Sequence, residues 1–242
     1  MELIIDQGNT SVKIALYSNM SQISFNRIDN PGIEEIEQIC DQHVISRAIL
    51  SSVKKDNTEI LRVLYNRSIP LIELTDQTPL PISITYKTPH TLGRDRIAAV
   101  IGAWVLNPEQ PSLVIDAGTA VTYDFIDEKG CYIGGNISVG LELRNRALNS
   151  YTDNLPYISL EGDTPDLGYS TETALRSGIT YGLVFEIERY IEAIKTKHTA
   201  VSIFLTGGDA KRLANKLKYA IFAEPNLVMI GLKRILDYNV KK

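Results

Sequence analysis

Asp6 closes an apolar run, Leu3-Ile4-Ile5, and is followed by Gln7-Gly8-Asn9-Thr10. Asp116 closes a second run, Leu113-Val114-Ile115, and is followed by Ala117-Gly118-Thr119-Ala120. Each segment puts a carboxylate at a strand end, then a glycine that frees the backbone to turn, then an amide or hydroxyl side chain. Oxygen ligands held at such a turn can take a phosphate or its metal ion. Asp6 could hold magnesium directly or through water, with Asn9 and Thr10 on the outer phosphates and Lys13 within reach of one. In the second copy Thr122 and Asp124 continue the strand after Thr119, Asp124 being the weakest member. One copy alone reads as easily as a hairpin made of turn-favouring residues. Two copies imply two related lobes facing each other across a nucleotide cleft.

Gly93-Arg94-Asp95-Arg96 opens a helical pattern directly after a proline-punctuated stretch. An Asp in that place is ordinarily a cap or a partner of the helix dipole. Beside two arginines it could also accept a proton from a substrate hydroxyl while Arg96 holds an anionic group. Leu205-Thr206-Gly207-Gly208-Asp209-Ala210 runs a strand into a glycine pair before a helix, where a nucleotide could approach the backbone. The glycine-dense Gly134-Gly135-Asn136-Ile137-Ser138-Val139-Gly140 reads equally as a tight bend. Neither G-x-x-x-x-G-K-[ST] nor a strand-borne G-x-G-x-x-G occurs, so P-loop and Rossmann sites are unsupported. His43, His90 and His198 make no metal-ligand spacing, although His90 stands close to the Gly93 segment.

The elements that must carry these residues are legible as periodicities. Leu3 to Ile5, Ser11 to Leu16 and Gln22 to Ile28 predict an antiparallel meander, broken at Asn30-Pro31-Gly32. A helix from Ile33, a strand at Ala48 to Leu50, a helix over about 57–66 and the run Leu71 to Leu74 then imply parallel crossovers. Thr75 to Leu92, with Pro79, Pro81 and Pro89, is a long connection of the kind that is often functional. A helix follows over Arg94 to Leu106, with Ile97, Val100, Ile101 and Trp104 as its apolar stripe. The same order of strands and helices repeats from Leu113 to the final helix, which starts near Asn226. The fold class expected is therefore α/β in two duplicated lobes, each a mixed five-stranded sheet with flanking helices. The boundary near Pro108 to Pro111 divides residues 1–109 from 110–242.

A chain of 242 residues can bury two modest cores. Its formal charge of −4, with signs interspersed, gives no bulk attraction for nucleic acid or an anionic membrane, so any phosphate chemistry is local. Cys40 and Cys131 lack a C-x-x-C partner and read as reduced thiols. With no signal-like start and no apolar run of membrane-spanning length, the expected location is the cytoplasm.

Together, Asp6-Gln7-Gly8-Asn9-Thr10, Gly93-Arg94-Asp95-Arg96, Asp116-Ala117-Gly118-Thr119-Ala120 and Thr206-Gly207-Gly208-Asp209-Ala210 resemble the motif set of type III pantothenate kinases over essentially the whole chain. The Gly-x-Asp-Arg segment preceded by Thr88-Pro89-His90-Thr91-Leu92 is the discriminating one. The resemblance implies two ribonuclease-H-like lobes of the sugar kinase, actin and heat-shock chaperone superfamily. It implies ATP-dependent phosphorylation of pantothenate to 4′-phosphopantothenate, the first step toward coenzyme A. By the same resemblance Asp6, Gln7, Gly8, Asn9, Thr10, Ser11, Val12 and Lys13 form the ATP phosphate loop, and Thr119 is a second ATP contact. Asp116 binds a monovalent cation, potassium or ammonium, and magnesium sits near Asp6. Gly93, Arg94, Asp95 and Arg96 line the pantothenate pocket with Asp95 as proton acceptor, joined by Tyr86 and Thr171, and a homodimer is expected. One departure is Val139, where the family usually has proline, which loosens the local turn. The competing readings are a kinase for another small alcohol and a non-catalytic accessory protein of the same fold.

Overall fold

The computed structural model describes residues 1–8, 10–29, 33–54, 56–198 and 200–240; the Asn30-Pro31-Gly32 break lies outside them. The chain divides into two compact units, Met1–Leu106 with Asn226–Lys242, and Asn107–Pro225.

In the first unit β1 (Glu2–Gln7), β2 (Ser11–Ser18), β3 (Ser21–Asp29), β4 (Arg47–Ser52) and β5 (Leu71–Glu73) form a sheet in the order β3-β2-β1-β4-β5. The β1, β2 and β3 meander is antiparallel, and β4 and β5 continue it in parallel. Helices α1 (Ile33–Gln42) and α2 (Thr58–Asn66) close one face: Leu3, Ile5, Val12 and Ile14 are buried with Ile36, Ile39, Ile60, Val63 and Leu64. Side chains alternate along a strand, so Ile4 and Asp6 fall to the other face. On that face α3 (Arg94–Leu106) packs against β4, and α7 (Leu227–Val240) packs against β1 and β4.

That packing alters the expectation for α3. A single stripe was expected, yet every residue from Arg96 to Ala103 is buried, because α7 covers the side of α3 that the sheet leaves open. The last helix, expected with the second lobe, thus belongs by its contacts to the first unit. Two glycines allow the close crossing. A Cβ on Gly102 would overlap the Leu227 carbonyl, and one on Gly231 would overlap the Ala98 carbonyl. Lys233 adds a buried charge cluster, 3.0 Å from Glu2 and 2.6 Å from Asp237, while Arg47 pairs with both acids. Gly231→Ala gains about 1 kcal/mol of helix preference. It also forces apart two backbones that no rotamer change can relieve, for which overpacking costs of about 1–3 kcal/mol are usual. The expected net result is a lower urea midpoint, and an unchanged or higher midpoint would contradict this packing.

The long connection before α3 carries a two-residue strand, β6 (Ser83–Ile84), and a single 3-10 turn at Pro89–Thr91. In the second unit β7 (Ser112–Ala117), β8 (Ala120–Ile126), β9 (Cys131–Val139), β10 (Ser202–Thr206) and β11 (Phe222–Ala223) lie in the order β11-β10-β7-β8-β9. This is the strand order of the first unit repeated, with β7 in the place of β1. Leu113, Ile115, Val121, Tyr123 and Phe125 bury against Ile179, Leu183, Ile187 and Ile191 of the long α5 (Thr171–Lys195). The remaining helices are α4 (Leu141–Ser150) and the short α6 (Ala210–Ala214).

The start of α5 is fixed by a capping box in which the Ser170 hydroxyl accepts from Thr173 N at 3.2 Å and Thr173 Oγ1 accepts from Ser170 N at 3.0 Å. The irregular segment before it is tied down from the helices. Arg176 donates to the carbonyls of Ser159 and Asp163, and Asn145 donates to that of Ile158. Among the described residues no helix is long and apolar enough to cross a membrane.

Candidate active site

Strand register assembles the first cluster. Asp6 on β1 stands opposite Lys13 on β2 and opposite Ser51 on β4. Its carboxylate is 3.7 Å from Lys13 Nζ, yet its pKa is pushed up to about 6. Burial is the main cause, Lys13 opposes it, and the negative charge of Asp95 adds to it. Asp6 and Asp95, distant in sequence, are therefore electrostatic neighbours within one unit. Ser51 is wholly buried beside Asp6, and hydrogen bonding from its hydroxyl to that carboxylate lowers the pKa of Asp6 somewhat.

The turn after Asp6 is tight, with Gly8 N donating to Ser11 O at 2.9 Å. Gln7 is held by its neighbour strand, its side-chain oxygen accepting from Ser52 Oγ at 2.7 Å and its carbonyl accepting from Val53 N. Thr10 is exposed and Ser11 is buried. The Val12 side chain lies in the hydrophobic core, so only its backbone can face a ligand. Asn9 lies outside the described residues.

At the start of α3 the Gly93 carbonyl accepts the first helical hydrogen bond, from Ile97 N. Asp95 folds back so that Oδ1 accepts from Arg96 N at 2.9 Å. Gly93 makes room for this: a Cβ there would come within 2.5 Å of that same oxygen. Arg94 donates to the Ser52 carbonyl at 3.3 Å, and its Nε is buried without a hydrogen bond. It lines a cavity of about 330 Å³ with Ser52, Lys54, Glu73 and Leu74. Arg96 is buried, Tyr86 is half-buried, and His90 is exposed on the 3-10 turn.

The second unit repeats the construction with other residues. Asp116 on β7 stands opposite Thr122 on β8 and Thr206 on β10. Where Asp6 faces a lysine, Asp116 faces a hydroxyl, and Thr122 Oγ1 is buried without a hydrogen bond. Gly207, at φ +96°, passes so close that a Cβ would overlap the Asp116 carboxylate and the Ala117 carbonyl. Asp209 N donates to Ala117 O at 2.9 Å, which fixes the strand end. Thr119 is exposed at the tip of its turn, and Gly140 N donates to its carbonyl at 3.1 Å. Val139 pairs with Ala120 in the β8/β9 register. Asp124 points into the protein, where it accepts from Tyr132 Oη at 2.7 Å. Thr171 is exposed on the first turn of α5.

Residues 2–193 match the family model of the type III pantothenate kinases. The chain belongs to that family. Curated type III pantothenate kinases from Bacteroides fragilis and Phocaeicola vulgatus are each 44% identical to it, over 99% of this chain and 98% of the first and over 100% of both for the second. The enzyme from Porphyromonas gingivalis is 40% identical over 98% of each chain. Among solved structures, a conserved Baf-family chain from Campylobacter jejuni superposes with a TM-score of 0.65 at 23% identity, covering 99% of this chain and 100% of that one. MreB5 of Spiroplasma citri bound to ADP superposes with a TM-score of 0.52 at 12% identity, covering 100% and 97%. These likenesses place the duplicated lobes in the fold of actin-like ATPases and sugar kinases.

Type III pantothenate kinases are ATP-using phosphotransferases, and ATP arrives with a divalent metal. Among the described residues no three His, Cys, Asp or Glu side chains gather as a metal cage. Magnesium needs no such cage, since it takes one or two carboxylates and completes its sphere with phosphate and water. Asp6 fits that demand: its charge is buried, Lys13 offsets that cost only in part, and a second carboxylate stands near. Ser51 and Ser52 escaped the sequence reading. Their signal was the run Ala48-Ile49-Leu50 ending in two hydroxyl residues, a strand end of the same design as the others.

Proposed function

We propose a division of labour between the two aspartate turns in the phosphorylation of pantothenate, the reaction of the type III family. The chain is a pantothenate kinase, and the neighbourhood of Asp6 and Asp95 carries the proposal, because it puts a phosphate-side carboxylate and an acceptor-side carboxylate in one unit. Phosphoryl transfer asks the protein for alignment and charge stabilisation rather than covalent chemistry. The Gly8 turn and Lys13 hold the outer phosphates of ATP, and Asp6 holds magnesium directly or through water. When bound, that ion neutralises charge on the β- and γ-phosphates. The Asp95 carboxylate orients the primary hydroxyl of pantothenate and accepts its proton. Gly93, Arg94, Arg96 and Tyr86 of the first unit line the acceptor's pocket, with an arginine suited to the pantothenate carboxylate; Thr171 is assigned to substrate by the family resemblance alone.

In the second unit, Thr119 contributes a further ATP contact and Asp116 holds potassium or ammonium. The unpaired Thr122 hydroxyl and the approach of Gly207 support a cation there. Gly207→Ala would crowd the Asp116 carboxylate at a backbone angle unfavourable to alanine, a strain of about 1–3 kcal/mol. The expected result is a higher potassium concentration for half-maximal activity together with a lower unfolding midpoint. An unchanged potassium response would contradict the assignment of Asp116.

The enzyme works in the cytoplasm as a homodimer. Exposed Leu167, Tyr169 and Phe185 in the second unit support self-association, which a sedimentation mass of twice the chain would register. ADP release from the purified protein, followed with and without pantothenate in potassium and then in sodium buffer, tests the assigned reaction and its cation together. Release that depends on pantothenate and is faster in potassium is expected. Activity with another alcohol and none with pantothenate would overturn it.

A further inference from the structure

The turn that carries Thr119 joins β7 to β8 and is closed by Gly118 N donating to Ala120 O at 3.0 Å. Gly140 meets it from outside, its N donating to Thr119 O at 3.1 Å. The two backbones touch: a Cβ on Gly140 would lie 2.0 Å from the Gly118 carbonyl oxygen and 2.6 Å from that of Thr119. The position of Gly140 therefore sets the position of the turn. Gly140 is the corner between β9 and α4, and Arg144 holds that corner twice. Its backbone N donates to Gly140 O at 3.0 Å, and its side-chain Nε donates to Val139 O at 2.8 Å. The other end of the same guanidinium pairs with Glu186 on α5. Glu186 uses its second oxygen too, accepting from Tyr123 Oη on β8 at 2.8 Å. Burial and that carboxylate push the Tyr123 phenol up, so it stays a donor at neutral pH. Leu183 and Ile187, on either side of Glu186, are wholly buried and anchor this stretch of α5. The Arg144 and Glu186 side chains are each about a quarter exposed, so as an ion pair they add little to stability. What the pair supplies is geometry, because a planar guanidinium can bond a carbonyl and a carboxylate at once in a fixed spread.

We propose that Arg144 and Glu186 are positioning residues for the nucleotide: their clamp from α5 to the β9/α4 corner fixes Gly140, and Gly140 fixes the Thr119 turn against ATP. The proposal rests on the reading of Thr119 as an ATP contact. It requires Arg144 to act through Gly140 and Thr119 and not by its charge. The alternative is a clamp that only fastens α4 to α5.

Arg144→Ala, Arg144→Lys, Glu186→Gln, Thr119→Ala and the Arg144→Ala/Thr119→Ala double variant separate these in the full-length enzyme. Calorimetry reads the affinity for Mg·AMPPNP, steady-state turnover the KM for pantothenate, and the urea midpoint the fold. Thr119→Ala and Arg144→Ala are each expected to weaken nucleotide binding about threefold to tenfold, the worth of one net hydrogen bond. The KM for pantothenate stays as it was. Arg144→Lys keeps the charge without the fork and binds as weakly as Arg144→Ala. Glu186→Gln, whose amide oxygen can still accept from Arg144, keeps most of the affinity. In the Thr119→Ala background the Arg144 change has no further effect.

A lower midpoint with unaltered nucleotide affinity in Arg144→Ala, while Thr119→Ala binds nucleotide weakly, would overturn the role of the clamp and leave that of Thr119 standing. Wild-type affinity in Thr119→Ala would overturn the reading of Thr119 itself, and the role of the clamp with it. Full affinity in Arg144→Lys, or an equal loss from Arg144→Ala in both backgrounds, would also overturn it, since the arginine would then act by its charge or without Thr119. Should Arg144→Ala fail to fold, Arg144→Lys against Glu186→Gln makes the same comparison, weak binding in the first and near-full binding in the second being the expected result.

Discussion

Asp95→Asn lowers kcat by about 10²–10⁴-fold, the usual worth of general-base assistance, and leaves Mg·ATP affinity equal to or slightly above that of the wild type. The amide keeps the shape of the carboxylate and can still accept from Arg96 N, so the start of α3 survives. What it loses is the capacity to take the hydroxyl proton. Asp95 also contributes repulsion that raises the pKa of Asp6, so its neutralisation eases rather than hinders a cation at Asp6. Steady-state turnover together with calorimetric titration of a non-hydrolysable nucleotide reads both effects. If Asp95 only complemented the helix dipole, the variant would lose up to about 1 kcal/mol of stability and keep its turnover. Gly93 sharpens the distinction. Gly93→Ala displaces the Asp95 oxygen without altering its charge, so it too is expected to lower kcat.

Asp6→Asn is expected to abolish useful turnover and yet to stabilise the protein without ligand at neutral pH. In the fold Asp6 titrates at about 6 instead of its ordinary 3.8, chiefly because burial disfavours its charge. The folded state therefore binds more protons than the unfolded state between those values, and stability falls as pH rises through them. The contribution is fully present below about pH 4 and is lost above about pH 6, with a size on the order of 3 kcal/mol. The neutral amide of the variant carries no such penalty. Urea midpoints of the two proteins should thus coincide near pH 4 and separate in favour of the variant by about pH 8. In the wild type, Mg·ATP should recover this cost by binding the ionised carboxylate, so its affinity should weaken as pH is lowered through about 6. Equal midpoints for variant and wild type at about pH 8 would show that the Asp6 charge is compensated within the fold.

The sequence showed most of the architecture because its periods are clean. Leu3, Ile4 and Ile5 before an Asp-x-Gly turn read as a buried strand. The shift at Ile33, Ile36 and Ile39 marked a helix, and Asn107-Pro108 ended another. It was silent where tertiary contact decides. Nothing local announces that α7 crosses α3, since Gly102 and Gly231 matter only through the carbonyls they meet. For the same reason the one-sided stripe expected on α3 is a helix buried all round.

At the site, Asp6 and Asp95 were legible as separate motifs. Their coupling depends on which face of β1 looks toward α3, a consequence of strand parity and packing together. Ser51 was hidden because a serine after an apolar run is ordinary, and only the parallel register places it against Asp6. The inequality of the two turns became clear in the same way, Lys13 answering Asp6 and Thr122 answering Asp116.

In the proposed reaction Asp95 meets the acceptor hydroxyl while Asp6 attends the phosphates. A crystal structure of the enzyme with pantothenate, magnesium and a non-hydrolysable ATP analogue measures this directly. The predicted result is the primary hydroxyl of pantothenate within hydrogen-bond reach of an Asp95 oxygen, about 2.6–3.2 Å, and magnesium bound to Asp6 directly or through one water. A pantothenate whose hydroxyl points away from Asp95, toward another side chain placed to take its proton, would contradict it.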